Sequence, residues 1–157
     1  MHKIGSSIVV VLMVALFAGN ANAHCEVPCG IYDDEMRCDM IAEHITTIEK
    51  SMTMIVDLSK APDENYNQLV RWIMNKEEHA EQLQDVVYRY FMTQRVRPVD
   101  NEKGEMHEKY VRQLTLLHHM LVYAMKAKQT TDLTNVEKLR ELLEEFRNVY
   151  FDEEHKH

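Results

Sequence analysis

Between Asp34 and about Leu58 the apolar residues fall at steps of three and four: Met36, Met40, Ile41, Ile45, Ile48, Met52, Ile55 and Val56. That period is one face of an α-helix, so the segment is predicted to be amphipathic with these residues inward. Ala61-Pro62-Asp63 breaks the pattern, and Asp63 is placed to cap the next helix. This second helix is predicted from about Glu64 to Met92, with Leu69, Val70, Ile73, Met74, Ala80, Leu83, Val86, Val87, Tyr90 and Phe91 facing inward. Gln94 to Lys103, which contains Pro98, reads as its loop. A third helix from about Glu105 to Lys128 carries Tyr110, Leu114, Leu117, Leu121, Ala124 and Met125 on one stripe. Thr134-Asn135-Val136-Glu137 has the form of a capping box. It opens a fourth helix through about Tyr150, with Val136, Leu139, Leu142, Leu143, Phe146 and Val149 inward.

No stretch alternates apolar and polar residues as a half-buried strand does, and short connections make sequential helices neighbours. The expected fold is therefore all-α, an antiparallel four-helix bundle over residues 33–151 with a polar tail at 152–157. Composition agrees, since Gly30, Gly104, Pro28, Pro62 and Pro98 are the only glycines and prolines after residue 23.

Residues 1–23 have a different character. One basic residue, Lys3, precedes an unbroken apolar run from Ile8 to Ala18, followed by Gly19-Asn20 and the small-residue triplet Ala21-Asn22-Ala23. This is the order of a secretory signal peptide with an A-x-A cleavage site. The run is too short for a membrane-spanning helix, which needs about 20 apolar residues. Cleavage after Ala23 makes the protein exported, periplasmic or secreted, with no membrane association after processing. It also removes Lys3 and no acid, so the net charge moves from −8 to −9. An acidic chain of this kind is not a nucleic-acid binder.

The cut creates the most concentrated chemistry in the chain. His24 becomes the N-terminus of His24-Cys25-Glu26-Val27-Pro28-Cys29-Gly30-Ile31-Tyr32. A metal held by the His24 amine and the Cys25 amide nitrogen closes a five-membered ring, and the Cys25 amide and thiolate close a second. Cys29 completes a plane, the chain reversing through Pro28 and Gly30. Two nitrogens and two sulfurs in a plane suit Ni(II) or Cu(II), whereas zinc prefers a tetrahedron. The His24 imidazole can swing over the plane as an axial ligand, which points to redox change at the metal.

His24, Cys25, Pro28, Cys29, Gly30 and Tyr32 match His-Cys-x-x-Pro-Cys-Gly-x-Tyr, and with it the chain resembles the nickel superoxide dismutases, whose mature chains begin with this hook and fold as four-helix bundles. The resemblance implies an enzyme that disproportionates superoxide to oxygen and hydrogen peroxide through a Ni(III)/Ni(II) cycle, with one nickel ion per subunit. It implies His24, Cys25 and Cys29 as metal ligands and Tyr32 as the residue that positions substrate, water or a proton. A second tyrosine, Tyr90 or Tyr88, would wall the site. An acid (Asp39 or Glu43) and a base (His79 or Arg71) would hold the axial imidazole. The family assembles as homohexamers, so a homo-oligomer is expected. Where some members carry Asp after the second hook residue, this chain has Glu26.

Two other classes use the same residues. A non-catalytic exported nickel- or copper-binding protein would need the same donors without an open substrate face. A disulfide between Cys25 and Cys29 would make the segment a covalent tie in a helical interaction protein. Cys38 reads as a small core residue, and the neighbours His118 and His119 diverge by ~100° on a helix and so do not chelate together.

Overall fold

The computed structural model describes residues 32–100 and 104–151. Among these residues the chain forms helices and no strand. They are α1 (Asp34–Leu58), α2 (Pro62–Asp85), a π-helix (Val86–Arg95) that continues α2 without a break, α3 (Glu105–Gln129) and α4 (Thr134–Phe151). Each packs against its chain neighbour, and α4 returns to lie against α1, which closes an antiparallel four-helix bundle. No helix among the described residues is long and apolar enough to cross a membrane. The signal peptide, hook residues 24–31 and the tail expected at 152–157 lie outside the described residues.

Three of the helix starts show how local chemistry sets the boundaries. Asp33 caps α1, its Oδ1 accepting from the Met36 amide at 2.9 Å, and Asp34 and Glu35 place negative charge in the first turn where the helix dipole favours it. The expectation that Asp63 caps α2 is not met. Pro62 is already helical, Ala61 stands at the cap without a side-chain bond, and Asp63 falls in the first turn. A proline with no N–H and a fixed φ is better suited to the first helical position than a residue that must donate there. The box expected at Thr134 is also displaced by two residues. The Asp132 carboxylate accepts from the Thr134 amide at 3.0 Å, while the Glu137 amide bonds to the Leu133 carbonyl at 3.1 Å.

The core is a continuous cluster in which Ile41, Ile45 and Ile48 of α1, Leu83 of α2, Phe91 of the π-helix, Leu117 and Met120 of α3, and Leu139 and Phe146 of α4 are fully buried. Phe91, Phe146 and Tyr150 meet as an aromatic group with ring centroids 5.0 to 5.6 Å apart, fastening the π-helix to α4. The expected α4 stripe matches this core closely. The α1 and α2 stripes match only in part, because Met36, Val56, Val70, Ile73 and Met74 are exposed, as is Met125 of α3.

Helix length explains most of that difference. Lys76 is the first buried residue of α2, and its ammonium reaches the end of α3, donating to the carbonyls of Ala127 (2.9 Å), Lys128 and Thr130 (3.3 Å). Residues of α2 before Lys76 therefore run past the end of α3. On the other side, Arg140, in the second turn of α4, pairs with Glu49 at 2.6 Å, leaving about the last turn of α1 beyond the start of α4. The α1–α2 corner thus overhangs the other pair of helices, by several turns along α2 and about one along α1, at ~1.5 Å per residue. Its apolar residues have a helical period but nothing among the described residues to cover them.

Lys76 also satisfies carbonyls that a helix end leaves without partners. Replacing it with Met should destabilise the bundle by about 1–3 kcal/mol in urea unfolding, with faster amide exchange around residues 128–131. Unchanged stability would mean that water serves those carbonyls equally well.

Candidate metal centre and its tyrosine flank

Tyr32, the last residue of the hook motif, sits immediately before the α1 cap, and two residues later Asp34 organises its surroundings. The Asp34 carboxylate is largely buried and receives donors from two other elements. Tyr90 Oη donates to Oδ1 at 2.6 Å and Tyr150 Oη to Oδ2 at 2.7 Å. Arg95 donates Nε to Oδ1 at 2.7 Å and Nη2 to Oδ2 at 2.5 Å, the parallel fork that suits a carboxylate. The Tyr90 oxygen in turn accepts from the Asp33 amide at 2.9 Å.

The π-helix makes this convergence possible. In an α-helix, residues five apart point roughly 140° away from each other. Here the bonding runs from i to i+5, as when the Val96 amide meets the Phe91 carbonyl at 2.8 Å. The side chains follow the same spacing, with Thr93 Oγ1 donating to the Tyr88 carbonyl at 2.7 Å and Gln94 Nε2 to the Arg89 carbonyl at 2.9 Å. Tyr90 and Arg95, five apart, thereby reach one carboxylate.

Tyr32 lies against this assembly. Its ring meets that of Tyr90 edge-on, with centroids 6.0 Å apart, and the Arg95 guanidinium stands 4.4 Å from the Tyr32 centroid. Arg37 covers the other tyrosine, 5.0 Å from the Tyr90 centroid, and its buried Nε has no hydrogen-bond partner among the described residues. Tyr32 is 39% exposed, so one side of the group faces outward.

The electrostatics follow from burial and pairing. Burial pushes the Asp34 carboxyl up, but hydrogen bonds from Arg95, Tyr90 and Tyr150 together outweigh it and hold the group below the usual aspartate range. Burial and the bond to Asp34 raise the Tyr90 hydroxyl to about 12. The same two causes raise Tyr150 further. Both phenols are therefore neutral donors at physiological pH, and Arg95 is held firmly cationic by Asp34.

Among the residues expected from the sequence, His24, Cys25 and Cys29 lie outside the described residues, and Tyr32 stands in the cluster just described. Tyr90 is the second tyrosine beside it. Tyr88 is exposed and bonded to its neighbour Arg89. Asp34 and Arg95 stand beside Tyr32, while the His24 imidazole that Asp39 or Glu43 and His79 or Arg71 are expected to hold lies outside the described residues. Asp39 pairs with Arg147 of α4 at 2.5 Å. His79 meets His44, which Glu43 influences electrostatically, and Arg71 is exposed on the α1–α2 corner. Burial lowers His44 below the ordinary histidine value, and the neighbouring His79 adds to that effect. Cys38 is fully buried, and burial raises its thiol to about 12, so it is an unreactive core residue as expected.

The sequence pattern does not reveal Asp34, Arg95 and Tyr150 as parts of this group. Asp34 follows the hook by two residues, a visible signal, but Arg95 reads as loop and Tyr150 as the end of the fourth helix, outside its apolar stripe. Their meeting depends on the π winding and on α4 closing against α1.

The sequence model of one protein family, described as nickel-containing superoxide dismutase, matches residues 19–154. No curated protein and no solved structure matches the chain.

Asp34→Asn removes the charge that Arg95 and two phenols share, and it should cost about 2–3 kcal/mol at neutral pH. Because the folded carboxyl titrates below the ordinary value of 3.8, this contribution is complete above that pH and lost as the pH falls through the folded value. Denaturation of both proteins from pH 7 down to about 2.5 should show the gap closing only below pH ~4. A gap that is constant across the range would refute the role of the charge.

Proposed function

Because the chain belongs to the nickel-containing superoxide dismutase family, we propose that its catalytic centre is the N-terminus created by cleavage after Ala23, with His24, Cys25 and Cys29 as the nickel ligands. The family makes it an oxidoreductase that uses nickel and acts on superoxide. The donors in the sequence suit that metal: a terminal amine, an amide nitrogen and two thiolates are strong-field ligands, and anionic sulfur stabilises a higher oxidation state. When bound, nickel supplies the one-electron exchange, alternating between Ni(II) and Ni(III). Over a full cycle two superoxide ions and two protons become one oxygen and one hydrogen peroxide.

The protein's own residues govern access, orientation and protons. The observation that carries the reading is that Tyr32, which ends the hook motif, is half-exposed yet fixed on its inner side by Tyr90 and Arg95. Its hydroxyl is our choice for holding superoxide or water and for presenting a proton to the peroxide being formed. Arg37 and Arg95 give an acidic protein local positive charge beside that tyrosine. Arg95 is already neutralised by Asp34, whereas Arg37 makes no ion pair among the described residues, so Arg37 contributes more to the attraction of an anion. The Asp34 network then acts by holding the tyrosines and Arg95 in place.

Export and self-assembly complete the reading. The signal-peptide pattern of residues 1–23 supports a periplasmic or secreted enzyme whose site forms only after cleavage. The apolar corner formed by Val56, Tyr66, Val70, Ile73 and Met74 supports a homo-oligomer, a hexamer by likeness to the family.

Mass spectrometry of native protein with metal analysis should find a chain that begins at His24 and holds about one nickel. One extra residue before His24 should abolish turnover while circular dichroism remains unchanged, because the amine is displaced from its chelate ring. Full activity in that variant would refute the ligand assignment. Tyr32→Phe should lower turnover about tenfold at saturating superoxide with nickel content retained, the loss of one transition-state hydrogen bond.

A further inference from the structure

Away from the Asp34 network, His44 of α1 and His79 of α2 face each other with their Nδ1 atoms 3.0 Å apart. Their ring centroids are 5.2 Å apart and the planes are tilted by 57°. Both side chains are half-buried, and both stand well inside long helices whose mutual contact is the most extensive in the bundle. As two neutral imidazoles the pair makes one N–H···N bond, in which one Nδ1 carries the proton and the other offers a lone pair. That bond satisfies two polar groups at a helix contact.

The geometry also allows something more. Two nitrogens 3.0 Å apart subtend about 90° at an ion ~2.1 Å from each. A right angle is the bite of two adjacent positions in a square plane or an octahedron, the arrangements of Cu(II) and Ni(II), and it is narrower than the tetrahedral angle of zinc. Both donors stand on packed helices, so the rings need only turn from facing each other to facing the ion for the pair to chelate. The Glu43 carboxylate acts electrostatically on His44 in the direction that favours positive charge, against the larger opposing effects of burial and of His79.

We propose that His44 and His79 form a second metal site, which binds one Ni(II) or Cu(II) ion through both Nδ1 atoms with water in the remaining positions. On binding, the imidazole that carried its proton on Nδ1 moves it to Nε2, so both rings stay neutral and no proton is released. The site needs neither signal cleavage nor a free amine. It gives a nickel-dependent chain a place to hold an ion on the folded bundle independently of its N-terminus.

The test adds Cu(II) as a probe to the mature protein already carrying nickel at the hook. Calorimetry should show one further equivalent, and pulsed electron paramagnetic resonance should show coupling to two imidazole nitrogens. His44→Gln and His79→Gln should each weaken that equivalent at least tenfold. Nickel retained at the hook is quantified in the same samples, so failure of the hook assignment and failure of this site read separately. Three results would overturn the proposal: no further equivalent, one that survives in both variants (placing the ion on other histidines such as His155 and His157), or coupling to a single imidazole. If either variant unfolds by circular dichroism, the wild-type spectrum decides alone, since fewer than two coupled nitrogens leaves only a hydrogen-bonded pair.

Discussion

A buried carboxylate has to be paid for by donors, and Asp34 meets that demand by drawing three parts of the chain to one point. Arg95 and Tyr90 come from the π-helix, Tyr150 from the end of α4, and the carboxylate itself from the first turn of α1. Removing any one donor leaves a polar group facing an apolar core, so the arrangement is held by mutual need more than by the strength of a single bond. The proposed site adjoins the point where these elements meet. Tyr32 precedes Asp34 by two residues, and the side chains that satisfy Asp34 also form the wall against which Tyr32 rests.

The rest of the bundle divides its work between packing and exposure. The aromatic group of Phe91, Phe146 and Tyr150 fixes the π-helix, without which Tyr90 and Arg95 would not share a face. At the opposite end Lys76 closes the end of α3, and the α1–α2 corner extends past it with an uncovered apolar surface. One end of the described bundle thus carries the cluster of tyrosines around Asp34, and the other an apolar surface that no described residue covers. Cys38 illustrates the separation. Burial that raises its thiol to about 12 keeps it out of the chemistry that Cys25 and Cys29 are suited to perform.

Much of this architecture is legible in the order of the residues. The period of apolar positions locates all four helices within a few residues, because helix geometry and burial impose the same 3.6-residue repeat. The pattern misleads where a second factor competes with period. Asp63 resembles a cap, but Pro62 is better suited to the first helical position. Val70, Ile73 and Met74 fit the inward stripe, yet α3 ends too soon to cover them. Gln94 and Arg95 read as loop because nothing in their spacing announces i-to-i+5 winding.

By itself the sequence determined the helical class and the acidic character, and it carries the pattern from which a cleaved leader and the donor set of the hook are proposed, since each is written in adjacent residues or a short period. Six matched letters behind a signal-peptide pattern were enough to indicate the family, and ligand chemistry was enough to indicate nickel or copper. Only the tertiary structure decided which acid, base and tyrosines stand beside Tyr32. Asp34, Tyr90, Arg95 and Tyr150 span most of the chain, and they meet because a π-helix turns two side chains onto one face while α4 folds back on α1. No local pattern encodes such a meeting, because it is the sum of helix lengths, winding and packing angles.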